Sequence, residues 1–194
     1  MLNSMLNGGV AAGEITVIGA LTSVGKTTMV NEIAYHFWKN TSKTIGCAFL
    51  EASNGEAVES LLTVHTGHNL SLEDRKNIDY DNLRSGIITD GRILLLDHNG
   101  AVDTDELFLK LRAMVKGNGC DVLILDPLQA AVTSNSNETI DEFMDRLLKL
   151  AKETDVSIIV VSHMKKPSIT NPHNVNEYDL KGSGSINQIA FNTI

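Results

Sequence analysis

The sequence predicts an α/β fold in which a mainly parallel sheet is flanked by helices. Three observations carry that expectation. Short apolar runs alternate with longer amphipathic ones along the 194 residues, the order that successive βαβ units produce. The apolar runs are rich in Val, Ile and Leu without strict polar alternation, as strands are when helices cover both faces of a sheet. The run Gly25-Lys26-Thr27-Thr28 stands between the first apolar stretch and the first amphipathic one, at the kind of strand-to-helix junction where an open parallel sheet forms its ligand site.

Each element can be justified in turn. Residues 14–18 read as the first strand. A helix opens near Lys26 and gathers Met29, Val30, Ile33, Ala34, Phe37 and Trp38 on one face, at the spacing of an apolar helical stripe. A second strand covers 44–50, and the weakly patterned stretch 67–91 reads as a short helix mixed with loops. The third strand is 92–97. Thr104 reads as the N-cap of the next helix, with Asp105 and Glu106 in its first turn and Gly117 as its stop. Leu107, Leu111, Met114 and Val115 form its buried face. A fourth strand at 122–126 leads to a helix near 139–153 that presents Ile140, Phe143, Met144, Leu147, Leu148 and Ala151. The fifth strand is 156–162. Beyond it, 164–184 is polar, carries Pro167, Pro172, Gly182 and Gly184, and reads as a long functional loop. The chain reaches Ile194 at what reads as the start of another strand. The expectation is one domain over 1–194, a core taken from a longer protein.

Composition narrows the function classes. Hydrophobic content of 42% with 21% charge is that of a globular domain. No apolar run approaches the ~20 residues of a membrane-spanning helix. The first residues, Met1-Leu2-Asn3-Ser4, lack the basic and then apolar pattern of a secretory signal. Cys47 and Cys120 show no metal-type spacing and fit a reducing, cytoplasmic setting. The net charge of −8 argues against a broad basic surface for nucleic acid, while leaving room for a few basic loops.

The chemistry begins at Ala20-Leu21-Thr22-Ser23-Val24-Gly25-Lys26-Thr27. A loop of this type wraps phosphates with its backbone N–H groups and the helix N-terminus, while the lysine reaches the β- and γ-phosphate oxygens. The threonine hydroxyl supplies a ligand to Mg²⁺. Ala20, Thr22, Ser23, Val24, Gly25, Lys26, Thr27 and Thr28 are therefore the expected nucleotide-binding residues, for ATP or another NTP or dNTP. Ala20 holds the first motif position, with Gly19 one residue earlier.

Hydrolysis by such a loop needs a carboxylate near Mg²⁺ and a group that positions water. Glu51, Asp97 and Asp126 each end a predicted strand, and spacing alone leaves Asp97 and Asp126 equal as the magnesium-side residue. His163 ends the fifth strand, where it could contact the γ-phosphate. His36, His65, His68, His98 and His173 show no convergent pattern and read as structural or surface residues.

These residues resemble the helicase domain of phage primase–helicases and mitochondrial Twinkle, of the DnaB-like hexameric class with RecA-type ATPase cores. The resemblance spans nearly the whole chain and rests on five segments: Gly25-Lys26-Thr27-Thr28, Phe49-Leu50-Glu51, the residues 120–126, Ser162-His163-Met164-Lys165-Lys166-Pro167, and Asp179-Leu180-Lys181-Gly182-Ser183-Gly184. It implies that Lys26 and Thr27 bind phosphate and Mg²⁺, that Glu51 polarises water, and that Asp126 is the magnesium-side aspartate. His163 becomes a γ-phosphate sensor at the root of a DNA-facing loop. Lys165, Lys166, Lys181 and Gly182 match DNA-facing positions, and Gln188 matches one near the nucleotide. Family members often carry Arg where Lys181 and Asn187 stand, and their arginine finger and base-stacking residues are expected beyond Ile194. The implied activity is ATP-dependent DNA unwinding by a homo-oligomeric, hexameric ring on single-stranded DNA, with a primase domain in the parent chain and no membrane. A RecA-like recombination or regulatory ATPase without unwinding is the alternative.

Overall fold

The strands sort their side chains between two cores by simple parity. In the computed structural model, which describes residues 9–21, 25–70, 79, 86–87, 89–98, 103–134, 136–164, 180, 186, 189–190 and 192–193, the sheet is six-stranded. Its strands are β1 (Ile15–Ala20), β2 (Ile45–Phe49), β3 (Ile93–Leu95), β4 (Val122–Asp126), β5 (Ser157–His163) and β6 (Asn192–Thr193). They lie in the order β3-β2-β4-β5-β1-β6, and every pairing is parallel. Leu123, Leu125, Ile158 and Val160 face one core, whereas Val122, Ile124, Ile159 and Val161 face the other. Successive side chains of a strand point to opposite faces, so an unbroken apolar run fills both sides at once.

Among the described residues, four helices cover the two faces: α1 (Lys26–Asn40), α2 (Asn54–Thr66), α3 (Thr104–Lys116) and α4 (Asn137–Thr154). α1 and α2 close one core with Val30, Ala34, Ala57, Leu61 and Leu62. α3 and α4 close the other with Leu107, Leu111, Phe143, Met144 and Leu147. Phe143 is fully enclosed, a burial that contributes about 1.5–3 kcal/mol. Arg92, just before β3, donates to the carbonyls of Trp38 and Thr41 at 2.9 and 2.7 Å. It thereby satisfies acceptors that the end of α1 leaves open. Among the described residues, no helix is long and apolar enough to cross a membrane.

The expected strands are present, the fourth at its expected bounds and the others with ends differing by a residue or two, and the chain's last described residues do form a strand, β6, beside β1. Helix α2 is a correction, because the sequence pattern marked no helix at 54–66. Its buried face is only Ala57, Leu61 and Leu62, too slight a stripe to stand out. Its start is nonetheless written in a reciprocal cap. The Ser53 hydroxyl accepts from Glu56 N–H at 3.3 Å, and the Glu56 carboxylate accepts from Ser53 N–H at 2.8 Å, the capping-box arrangement. These bonds hold the Glu56 carboxyl below its ordinary range. α4 begins earlier than expected, capped by Ser136, and Leu148 is only partly buried. Most of 67–91 beyond Leu70 lies outside the described residues.

Thr104 is not the cap of α3. Asp103 holds the extended backbone of an N-cap, and its carboxylate accepts from Asp105 N–H and Glu106 N–H, each at 3.0 Å. Thr104 is the first helical residue, and its hydroxyl accepts from Thr133 N–H at 3.0 Å. Asp103→Ala should therefore lower stability by about 1 kcal/mol, read from urea midpoints, with a smaller loss for Thr104→Ala. A larger loss at Thr104 would return the cap to that residue.

Candidate nucleotide-binding site

The parallel strands aim their C-terminal ends at one edge of the sheet, where open α/β folds bind ligands. Four elements bring the expected site residues there. Lys26 and Thr27 open α1 directly after β1, Asp126 ends β4, His163 ends β5, and Glu51 lies in the bend after β2.

The start of α1 differs from the other helix starts. Gly25 caps it at φ 92°, ψ 22°, a left-handed conformation that glycine adopts without steric cost. No side chain caps this end, and no acidic residue lies in its first turn. By contrast, α2, α3 and α4 each have a side-chain cap and an acidic first turn. A helix N-terminus carries partial positive charge and N–H groups without helical partners. Here the helix brings Lys26 to that end and carries no acidic residue of its own in the first turn. That is the electrostatic signature of a phosphate site.

Asp126 shares strand parity with Val122 and Ile124, whose face α1 covers. Its carboxylate therefore meets the first turn of α1, and the Thr27 hydroxyl donates to it at 3.3 Å. Asp126 is 6% exposed. Burial pushes its carboxyl above the ordinary range; the Lys26 charge and the Thr27 bond pull down, and Glu51 pushes up. A carboxylate buried beyond what its neighbours compensate favours a cation nearby. A hydroxyl and a carboxylate are oxygen ligands of the kind Mg²⁺ takes, usually only one or two from the protein beside nucleotide phosphates. Among the described residues no cluster of three or more His, Cys, Asp or Glu forms a larger metal cage.

Sheet order separates the two aspartates that spacing left equal. β4 is two places from β1, across β5, whereas β3 is the far edge strand. Asp97, beyond β3, accepts instead from the Asn54 amide at 3.2 Å. It ties down the start of α2.

Glu51 and His163 meet, with Oε1 and Nε2 3.8 Å apart. His163 pairs in register with Ala20, so it stands beside the phosphate loop. Sequence reasoning missed the residue that seats it. Gln129, in a 3₁₀ turn at Leu128–Ala130, accepts from His163 N–H at 2.9 Å and donates to the Ser162 hydroxyl at 3.0 Å. One amide thus links the ends of β4 and β5. The only signal for it was a polar residue three places after Asp126.

Beyond β5, Met164 forms an antiparallel bridge with Leu180, so the two roots of the expected long loop come together. A methyl group on Gly19 would fall 2.6 Å from Leu180 Cδ2 and 3.5 Å from Met164. Gly19 thus lets the loop roots pack against the strand that feeds the phosphate loop. Thr22, Ser23, Val24, Lys165, Lys166, Lys181, Gly182 and Gln188 lie outside the described residues, as does the side chain of Ala20.

Fold and site together define a P-loop nucleotide-binding domain on a parallel, doubly covered sheet. The model of the DnaB-like helicase C-terminal domain matches residues 1–192, and the chain belongs to that family. It is 29% identical over 196 residues to the DNA helicase/primase of Enterobacteria phage T3, covering 94% of this chain and 35% of that protein. It is 23% identical over 213 residues to the replicative DNA helicase DnaB of Geobacillus stearothermophilus, covering 95% of this chain and 43% of the relative. A solved DnaB-like replicative helicase, described with its interactions with primase, superposes with a TM-score of 0.76 at 22% identity, over 94% of this chain and 46% of that one. The chain thus spans well under half the length of these curated relatives.

Proposed function

We propose that this chain is the nucleotide-hydrolysing motor of a replicative DNA helicase, working in a homo-oligomeric ring around single-stranded DNA. The observation that carries the reading is the helix start at Lys26, without an acidic residue in its first turn, beside the buried Asp126–Thr27 pair. Lys26 neutralises the β- and γ-phosphates of ATP or a related nucleotide, and Thr27 and Asp126 hold Mg²⁺, which spreads the charge of the transferred phosphoryl group. Glu51 orients the attacking water. His163 stands where it can exchange contacts between Glu51 and the γ-phosphate and pass the change to Met164 and the loop beyond. Lys165, Lys166, Lys181 and Gly182 belong to the stretch that meets DNA, and Gln188 lies near the nucleotide. The hexameric ring, a primase domain in the same protein and a cytoplasmic setting are parts of this reading; of these, the primase domain draws on the helicase/primase name of the phage T3 relative.

A ring that grips DNA through a few lysines in a channel is compatible with a chain of net charge −8. The test is unwinding of a forked duplex by the full-length protein, dependent on ATP hydrolysis. Alanine at Lys165, Lys166 and Lys181 together should weaken single-stranded DNA binding and flatten its salt dependence by roughly 0.7 for each phosphate no longer neutralised. An ATPase that never separates strands, with an unchanged salt slope in the triple variant, would move the protein to the regulatory class.

A further inference from the structure

Glu51 stands on a short span between β2 and α2, and its reach depends on where that backbone is held. On one side the β4 neighbour holds it, with Leu50 N–H donating to the Asp126 carbonyl at 2.7 Å. On the other side the backbone ladder to β3 gives out. Its regular bonds run from Ile45 N–H to the Arg92 carbonyl at 2.7 Å, and from Leu96 N–H to the Cys47 carbonyl at 2.8 Å. Continued by one step, the same pattern would bring His98 N–H to the Phe49 carbonyl. The paired register instead ends at Cys47 and Leu95. The imidazole of His98 takes that place, with Nε2 2.9 Å from the Phe49 oxygen.

A carbonyl oxygen only accepts, so Nε2 carries the proton and donates. Among the described residues, Nδ1 is then left buried without a partner. An orphaned buried nitrogen costs free energy, and here it accompanies a bond that serves only the backbone two residues before Glu51. Next to it, Asp97 holds Asn54 at the far end of the same span.

We propose that His98 is a positioning residue for Glu51, acting through the Phe49 carbonyl to fix the span from which Glu51 reaches the attacking water. The inference rests on the water-orienting reading of Glu51 given above. The bond His98 makes is to the Phe49 backbone and not to an expected nucleotide-binding residue, so its removal should affect rate more than affinity. Displacements of an ångström at a reacting group cost up to about 10²-fold in rate.

The test compares His98→Ala, His98→Gln, Glu51→Gln and the Glu51→Gln/His98→Ala double variant in the full-length protein, with DNA present. His98→Ala should lower kcat on the order of tenfold and leave the KM for ATP and the melting temperature nearly unchanged. His98→Gln, which keeps an N–H donor at similar reach, should recover most of the rate. The double variant should be no slower than Glu51→Gln alone, because the two act as one unit. A normal rate in Glu51→Gln would overturn the reading of Glu51 itself. A slow Glu51→Gln beside a fully active His98→Ala would overturn only the role of His98. A loss in His98→Ala that glutamine fails to recover, or that multiplies with Glu51→Gln, would mark His98 as a general stabiliser instead.

Discussion

Alanine at position 26 is expected to weaken ATP binding by about 10³-fold, to below detection in an ordinary titration. Lys26 is the first residue of α1 and supplies full positive charge where the helix end alone provides only a partial one. Helix-end effects are worth about 0.3–1 kcal/mol at exposed sites. Hydrogen bonds to charged groups contribute about 1.5–3 kcal/mol each, and a lysine bridging two phosphates makes more than one. The loss has a second part. Burial raises the Asp126 carboxyl, and Lys26 is the largest influence pulling it back down. Without Lys26 that carboxyl moves further up, away from the charged form that a cation needs. Titration with a fluorescent ATP analogue measures the outcome directly. Affinity like that of the unmodified protein would show that this loop is not the phosphate site.

How much was legible before the structure follows from which contacts are local. The layered fold was, because Val-, Ile- and Leu-rich runs such as 122–126 and 156–162 fill two cores by parity alone. The candidate carboxylates were legible as strand ends. Spacing did not rank them, although the family resemblance implied Asp126, since strand order depends on long-range pairing that no short window encodes. Only with β3 at the edge does Asp97 separate from Asp126. Helix α2 escaped notice because its stripe is small, although the Ser53 and Glu56 cap was there to be read. Asp103 and Thr104 are both competent caps, and only the observed bonds decide between them. Gln129 and His98 belong to no motif. Each uses its side chain to span a gap between strand ends, and such gaps exist only once the sheet is assembled.

Glutamine at position 51 is expected to keep nucleotide affinity while hydrolysis by the assembled full-length protein falls by about 10²-fold or more. The substitution preserves the shape of the side chain and its capacity to accept a bond from His163, now 3.8 Å away. It removes the negative charge that draws a proton from water. The Glu51 side chain is 62% exposed, so its neutralisation leaves no buried group unpaired and should hardly change stability. The effect on Asp126 runs in the opposite direction to that of Lys26→Ala. Glu51 pushes the Asp126 carboxyl upward, and its removal lets that carboxyl ionise more readily. Binding of the Mg²⁺–nucleotide complex should therefore be equal or slightly tighter. A variant that binds at least as well and turns over far more slowly has lost an interaction made in the transition state. Asp97→Asn is the control. Asp97 serves the start of α2 through Asn54, a bond that the asparagine carbonyl can still accept, so its rate should stay close to that of the unmodified protein. A slow Asp97→Asn beside an active Glu51→Gln would place the water-orienting carboxylate after β3 instead of after β2.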